Sequence, residues 1–444
     1  MKKVITYGTF DLFHRGHYNM LKRAKEYGDY LIVGVTGENY DIGRGKLSVK
    51  DSIAQRIENV KNTGLVDKII VEEYLGQKID DIVKYGVDTF VIGDDWKGKF
   101  DHLSRYCKMV YLERTKGVSS TQIREESFAN YRIGIATDFP DDNQLIEEAK
   151  KVSGFSVKSV FSEDADVLEK FTEKYEVENA YTDFDEFLDD SDIVFVKSKL
   201  PERTTHIYKA LEKGKHVIYD PPAAQTVEEM KKIYNKAKEN KLIILSNLKM
   251  VHIHVFNQLL WMTQGGLIGD VVSFNCSISR LDRNVGNIFF NLLAIALCPM
   301  VKVMGKDFIE KDCKLIVDDA GVQFASLSFN YSNARAVLSV GNRVRTRNHL
   351  EIVGTEGTIH IDNNWWRGSY FEINKPGTDE KEIYNTNYQG NGFKYLIKAM
   401  ATMMENGRYE SMGLFKDESL KIVEIIEYIS KMSKPVQETQ KKDK

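Results

Sequence analysis

Val4-Ile-Thr-Tyr-Gly-Thr-Phe-Asp-Leu-Phe-His-Arg-Gly-His17 begins as an apolar, β-branched run, breaks at Gly8 and passes through a short polar turn into Tyr18-Asn-Met-Leu-Lys-Arg-Ala-Lys25. The first part reads as a buried parallel strand and the last as a helix. A strand, a glycine turn and a helix N-terminus make a phosphate site, because backbone N–H groups at that end have no intrahelical partner. His14 and His17 stand at its mouth with Gly16 between them. Imidazole N–H groups there can donate to a phosphoryl oxygen on which charge builds. An isolated H-x-G-H is more often a surface or capping pair, so its context decides.

A second segment supplies that context. Glu113-Arg-Thr-Lys-Gly-Val-Ser-Ser-Thr-Gln-Ile-Arg124 follows another apolar strand, Met109-Val-Tyr-Leu112. Ser119, Ser120 and Thr121 can cap the helical run after them. Arg114 and Lys116 put positive charge beside the same helix end. Alone this is an ordinary N-cap with solvated basic neighbours; paired with the first segment it predicts a second phosphate clamp.

Three stretches in this order, Gly8–His17, Val91-Ile-Gly-Asp-Asp-Trp-Lys-Gly-Lys-Phe-Asp101 and Arg114–Thr121, resemble the H-x-G-H nucleotidyltransferases, most closely the glycerol-3-phosphate cytidylyltransferases. The resemblance runs from Met1 to about Glu126. It implies a Mg²⁺-dependent transfer in which an alcohol phosphate attacks the α-phosphorus of CTP, without a covalent enzyme intermediate. It also implies roles. His14 and His17 stabilise the transferring phosphate, and Lys46, in Gly43-Arg-Gly-Lys46, reaches a phosphate as a mobile cation. Arg114, Ser119, Ser120 and Thr121 hold the departing pyrophosphate. Gly8, Thr9, Phe10, Asp11 and Gly16 line the triphosphate side, and Gly93 and Asp94 the base or ribose. No protein-held metal is assigned. One departure concerns the acceptor: Gly64 stands where the family's helix leading into Val66-Asp67 usually carries an arginine.

The whole chain has 444 residues, suiting two or three domains. A net charge of −3 argues against a general nucleic-acid binder. Met1-Lys2-Lys3 leads directly into a strand, so no signal peptide is expected. The longest apolar run, Ile288–Val301, is too short to span a bilayer and reads as a buried or interface helix. Cys107, Cys276, Cys298 and Cys313 form no C-x-x-C, which argues against structural zinc or a disulfide framework and fits a reducing cytoplasm.

The βαβ rhythm predicts an α/β protein with parallel sheets. Residues 1–128 read as the cytidylyltransferase domain, a Rossmann-like fold with strands at Lys3–Tyr7, Tyr30–Val35, Lys68–Val71, Thr89–Ile92 and Met109–Leu112. Residues 131–249 read as a second Rossmann-like domain of NAD(P)-binding type. Residues 250–433 read as an α+β domain with a mainly antiparallel sheet, and 434–444 as a disordered tail. His252 and His254 alternate as on a strand and are taken as structural rather than as metal ligands.

From Tyr131 onward the chain resembles the glucose-fructose oxidoreductase / inositol dehydrogenase family, through Ala180-Tyr-Thr-Asp-Phe-Asp-Glu-Phe187, Ala210-Leu-Glu-Lys-Gly-Lys-His-Val217 and Glu351-Ile-Val-Gly-Thr-Glu-Gly-Thr-Ile359. The chemistry is thinner than the scaffold. The turn after the first strand, Ala136-Thr-Asp-Phe-Pro-Asp-Asp-Asn143, lacks the glycines that let a backbone approach pyrophosphate, and its aspartates repel one. The family's Glu-Lys-Pro appears as Asp220-Pro221-Pro222, with Pro221 at the lysine position, and Ile295 stands at its histidine position. Neither replacement can move a proton. The expectation is a cytidylyltransferase with a retired oxidoreductase half, whose degenerate turn speaks against NAD(P) and leaves its binding open. The competing expectation is a two-step enzyme that reduces a keto-polyol phosphate before activating it. The partners expected are CTP, an alcohol phosphate and further copies of the chain, with no nucleic acid or membrane insertion, in capsule or teichoic-acid-like polymer synthesis.

Overall fold

The computed structural model describes residues 1–43, 49–74, 76–113, 130–140, 143–152, 154–175, 177–200, 202–281, 288–319, 321–377, 381–385 and 390–433. They fall into two compact units, Met1–Asn130 and one built from Tyr131–Ala149, Phe155–Thr386 and Gly390–Lys444.

The first unit is a five-stranded sheet in the order β3-β2-β1-β4-β5. Its strands are β1 (Lys3–Gly8), β2 (Tyr30–Thr36), β3 (Lys68–Glu72), β4 (Thr89–Gly93) and β5 (Lys108–Leu112). Every pairing is parallel. β1 lies in the middle and is covered on both faces, which is why it reads as a continuous apolar run. Val4 joins Leu21, Ala24 and Val60 from the helices Arg15–Lys25 and Ile53–Lys61 on one face. Ile5 and Tyr7 join Ile82 from Gln77–Tyr85 and Phe90 on the other. The strand order reverses between β1 and β4, and ligands of open parallel sheets bind at the carboxyl ends flanking such a reversal. β1 ends there in Gly8 and β4 in Gly93.

The second unit holds two sheets. A six-stranded parallel sheet runs β11-β10-β9-β6-β7-β8. It comprises β6 (Tyr131–Ala136), β7 (Phe155–Phe161), β8 (Asn179–Tyr181), β9 (Ile193–Val196), β10 (His216–Tyr219) and β11 (Ile244–Ser246). An eight-stranded sheet follows in the order β13-β14-β15-β12-β16-β17-β18-β19. Its strands are β12 (Val271–Arg280), β13 (Glu310–Asp318), β14 (Gly321–Asn330), β15 (Arg335–Asn342), β16 (His349–Gly354), β17 (Thr358–Asp362), β18 (Tyr370–Asn374) and β19 (Lys381–Asn385). β12 and β15 pair in parallel and the other neighbours antiparallel. The helix Phe289–Met304 buries Phe289, Leu293, Leu297 and Met300 with Phe274 and Leu338 of that sheet.

The last helix, Lys416–Ser433, explains why residues 131–433 form one unit with no break near Lys249. Its Ile425, Ile426 and Ile429 belong to the core of the eight-stranded sheet, while Val423 joins that of the six-stranded sheet. Glu427 also accepts the Val227 N–H at 2.9 Å, at the start of the helix Val227–Glu239.

Some elements differ from the sequence reading. His252 ends a short 3₁₀ turn, Lys249–His252, and His254 opens the helix His254–Gln264, so neither lies on a strand. Val255, Phe256, Leu259 and Leu260 bury a helical stripe that outweighs the two-residue alternation. β8 and the helices Asn143–Ala149 and Phe184–Asp189 were not foreseen; each is short, with too few periods to register. Trp365 and Phe371 are core residues, and the Trp365 indole donates to the Ser277 carbonyl at 2.9 Å. The expected tail, 434–444, lies outside the described residues.

At the tip of β9, the Ser198 hydroxyl lies 2.6 Å from His206 Nδ1, and the ring stacks on Phe184 with centroids 4.4 Å apart. Burial pushes the imidazole below its ordinary value; Glu163, Asp138 and Glu202 oppose this and Lys209 adds to it. A depressed folded value means the neutral ring's contribution is present above the unfolded pKa of about 6.5 and lost as pH falls below it. The urea midpoint of the second unit should therefore fall between about pH 7 and pH 5, and His206→Gln should flatten that fall; an unchanged pH profile in the variant would refute the assignment.

Candidate active site

Gly8 passes the chain into a turn whose backbone is forced. Phe10 and Leu12 have φ of 56° and 48°, left-handed values that side chains other than glycine seldom adopt. Such conformations cost roughly 1–3 kcal/mol each and persist only where the surroundings impose them. The turn delivers His14 as the N-cap of the helix Arg15–Lys25. The Gly16 N–H donates to His14 Nδ1 at 3.0 Å, and the His14 N–H to His17 Nδ1 at 3.4 Å. This is a capping box made by two imidazoles in place of the usual hydroxyl and carboxylate. The rings stack with centroids 4.0 Å apart, and His17 packs on Phe10 and Phe13, each at 5.5 Å. A ring nitrogen that accepts a backbone N–H carries no proton, so each neutral ring holds its proton on Nε2. The arrangement thus fixes the tautomer of both histidines and makes each Nε2–H a donor beside a helix N-terminus.

The turn is anchored from outside. Asp11, buried, accepts the N–H groups of Lys50 and Asp51 at 2.8 and 3.0 Å. Asp51 in turn accepts the Leu12 N–H at 2.9 Å. Arg56 is fully buried: its Nη1 donates to the carbonyls of Thr9 (3.0 Å) and Thr36 (2.7 Å), its Nε to the Asp51 carbonyl (3.0 Å), and Asp41 pairs with it at 3.4 Å. The Thr9 hydroxyl also reaches Asp41 at 3.3 Å. The sequence reading missed Arg56, Asp51 and Asp41. The signal for Arg56 was present, since it sits on the helical stripe of Ile53, Ile57 and Val60 that faces the core.

The register of β1 on β4, Val4 with Thr89 and Ile5 with Phe90, brings Gly8 level with Gly93. Gly93 pairs with Leu112, the end of β5. Asp94 opens a 3₁₀ turn, Asp94–Trp96, at the same edge. Gly8, Thr9, Phe10, Asp11, His14, Gly16, His17, Gly93 and Asp94 therefore gather at the carboxyl edge of one sheet, and the strand leading to the second predicted clamp ends there too. Lys46, Arg114, Ser119, Ser120 and Thr121 lie outside the described residues.

The second unit carries a cavity of about 600 Å³. Pro221 and Ile295, the positions where the resemblance expected a lysine and a histidine, both line it. At the tip of β6 the Asp138 carboxylate accepts the Lys199 N–H at 2.6 Å, and the Thr137 hydroxyl accepts the Phe139 N–H at 3.0 Å. A dinucleotide pyrophosphate needs open backbone donors at this tip. Here the Thr137 hydroxyl takes the Phe139 N–H, a carboxylate stands beside it, no glycine follows Ala136, and Pro140 brings no N–H. These residues do not fit a nicotinamide dinucleotide. Among the described residues, no group of three or more His, Cys, Asp or Glu could hold a metal ion, and no helix is long and apolar enough to cross a membrane.

Residues 5–126 match the family described as cytidylyltransferase-like. Glycerol-3-phosphate cytidylyltransferase of Bacillus spizizenii is 53% identical over 126 residues, 28% of this chain and 97% of that protein. The Staphylococcus aureus enzyme of the same name is 46% identical over 29% of this chain and 96% of its own length. The chain belongs to the cytidylyltransferase-like family. Its first unit is a nucleotidyltransferase. Residues 140–248 match the oxidoreductase family with an NAD-binding Rossmann fold, a match that begins past β6, within the turn after it. A 3-ketoreductase from Actinomadura kijaniata, solved with NADP and TDP-benzene, shares that fold at a TM-score of 0.60 and 18% identity, over 68% of this chain and 97% of its own. The cytidylyltransferase unit is thus joined to an oxidoreductase-type fold.

Arg56→Met would take the guanidinium away from buried Asp41 and from the Thr9 and Thr36 carbonyls. The cytidylyltransferase unit should lose about 3 kcal/mol, read from urea titration, whereas a loss below about 1 kcal/mol would show that the guanidinium does not hold the turn.

Proposed function

We propose that this protein is a CTP:polyol-phosphate cytidylyltransferase, joining CTP and glycerol phosphate or a related alcohol phosphate into a CDP-alcohol and pyrophosphate, and that its oxidoreductase-type half performs no hydride transfer. The observation that carries the reading is the stacked His14–His17 pair with both Nδ1 atoms committed to backbone N–H groups.

In the proposed reaction an oxygen of the alcohol phosphate bonds to the α-phosphorus of CTP while the bond to the bridging oxygen of pyrophosphate breaks. No group on the protein is modified, so positioning and electrostatics supply the rate. The Nε2–H groups of His14 and His17 donate to the transferring phosphoryl group, whose charge grows in the transition state. Their tautomers are set in advance, so no reorganisation is needed at that moment. Gly8 and Gly16 keep side chains out of the path of the triphosphate. Thr9, Phe10 and Asp11 build its wall, and Gly93 and Asp94 stand on the base or ribose side. Lys46, Arg114, Ser119, Ser120 and Thr121 are assigned to the β- and γ-phosphates. Mg²⁺, brought in by CTP, would neutralise triphosphate charge; such ions bind largely through substrate phosphates.

Acceptor identity is the finer part of the proposal. Gly64 has φ of 67° and follows the helix Ile53–Lys61, a backbone that an arginine would adopt only under strain. The arginine expected there is therefore not simply replaced within the same backbone, and a polyol phosphate other than sn-glycerol 3-phosphate is the natural candidate. We place the product in cell-surface polymer synthesis, with the enzyme in the cytoplasm and assembled as a homo-oligomer. A reductase reading is supported by the fold and the cavity, and opposed by Pro221, Ile295 and Asp138 around it.

Mass spectrometry of products from CTP, Mg²⁺ and a panel of alcohol phosphates tests the main reading; absence of any CDP-alcohol would end it. His14→Ala or His17→Ala should each lower turnover on the order of 10²-fold or more, and near-normal turnover would remove the donor role. Titration with NADH or NADPH should give no turnover of keto-polyol phosphates. Hydride transfer to such a substrate would replace the proposal with the two-step enzyme.

A further inference from the structure

The cavity of the second unit has lost what a hydride-transfer site needs, yet its lining is not bland. Lys197, Lys199, Arg203, Lys249 and Arg280 line it, against one carboxylate among the described residues, Asp220. Asp138 stands nearby through its bond to the Lys199 N–H. Arg203 is buried and held in place by the carbonyls of Ser198, Asp220 and Pro222 at 2.8–3.0 Å, so its charge cannot swing away. Asp220 is engaged by Asn247 Nδ2 at 2.7 Å. That bond assigns the amide, and it leaves Asn247 Oδ1 buried without a partner on the same wall. Phe139, Phe290 and Trp366 add aromatic surface.

We infer that this cavity binds a nucleoside diphosphate ester as an anion, without redox chemistry, and that its ligand is the CDP-alcohol made by the first unit. The basic groups supply charge for a diphosphate. The aromatic side chains suit a base. A volume of about 600 Å³ is several times that of a small alcohol phosphate and falls in the usual range for larger ligands. A nicotinamide dinucleotide shares this chemistry, but its pyrophosphate needs the β6 turn that Asp138 occupies. The CDP-alcohol identity rests on the proposed function; binding of the class does not.

The test is calorimetric titration of the full chain with CDP-glycerol, in parallel with NADH. The wild type should show a CDP-glycerol site beyond the one in the first unit. The paired variant Lys199→Gln, Arg280→Gln should weaken that added site by about tenfold or more while CTP turnover stays within about twofold of wild type. Lys199→Arg, which keeps the charge, should retain it, and melting curves check that each variant is folded. A single site in the wild type, an added site that survives the paired variant, or NADH taking up the added site and reducing a keto substrate would each overturn the inference. Failure of the cytidylyltransferase reading would appear separately, as absence of CTP turnover in the wild type.

Discussion

A guanidinium without access to water holds the catalytic turn together. Arg56 reaches from a crossover helix to the carbonyls of Thr9 and Thr36 and to Asp41, and so joins the ends of β1 and β2. The turn needs such a constraint. Two left-handed residues on either side of Asp11, Phe10 and Leu12, cost roughly 1–3 kcal/mol each. Hydrogen bonds to a charged group contribute roughly 1.5–3 kcal/mol each. Arg56 makes several, so the clamp and the strain are of the same size, and the strained turn survives because the clamp and the buried Asp11 surround it. What this secures is the position of His14 at the helix cap.

The first sheet was legible because its strands are buried on both faces and read as apolar runs, and because Gly8 and His14–His17 stand where a strand gives way to a helix. The histidines were legible as residue types. Their locked tautomers were not, because a capping box of two imidazoles depends on backbone geometry that the letters do not carry. Arg56 shows the opposite failure. Its place on an apolar stripe was visible, but an arginine in a helix reads by default as a solvated charge. The parallel pairing of β12 with β15 could not be read either, since alternation marks a half-buried strand and says nothing about the direction of its neighbour. His252 and His254 misled because two letters of alternation were given more weight than the longer stripe after them.

In the second unit, scaffold and chemistry have separated. Packing of Phe289, Leu293 and Leu297 on the eight-stranded sheet, and the sharing of Lys416–Ser433 between both cores, depend on apolar shape alone. Such features persist under any sequence that keeps volume and pattern. Proton transfer depends on single titratable groups, and the side chains of Pro221 and Ile295 can neither give nor take a proton. A family resemblance carried by scaffold segments therefore speaks for the fold and not for the reaction.

The two units also treat anions differently, and the difference separates turnover from retention. Catalysis requires interactions stronger in the transition state than in the ground state. Neutral N–H donors aimed at a phosphoryl group meet this condition, because their bonds strengthen as charge accumulates on its oxygens. Fixed cations that only balance the charge of a bound anion do not meet it, since they stabilise the resting anion fully and gain nothing further from its reaction. In the proposed function the histidine pair of the first unit has the first character, and in the inferred ligand site the lysines and arginines of the second unit have the second. On that reading one half passes a nucleotidyl group on, and the other keeps a phosphorylated molecule as it is.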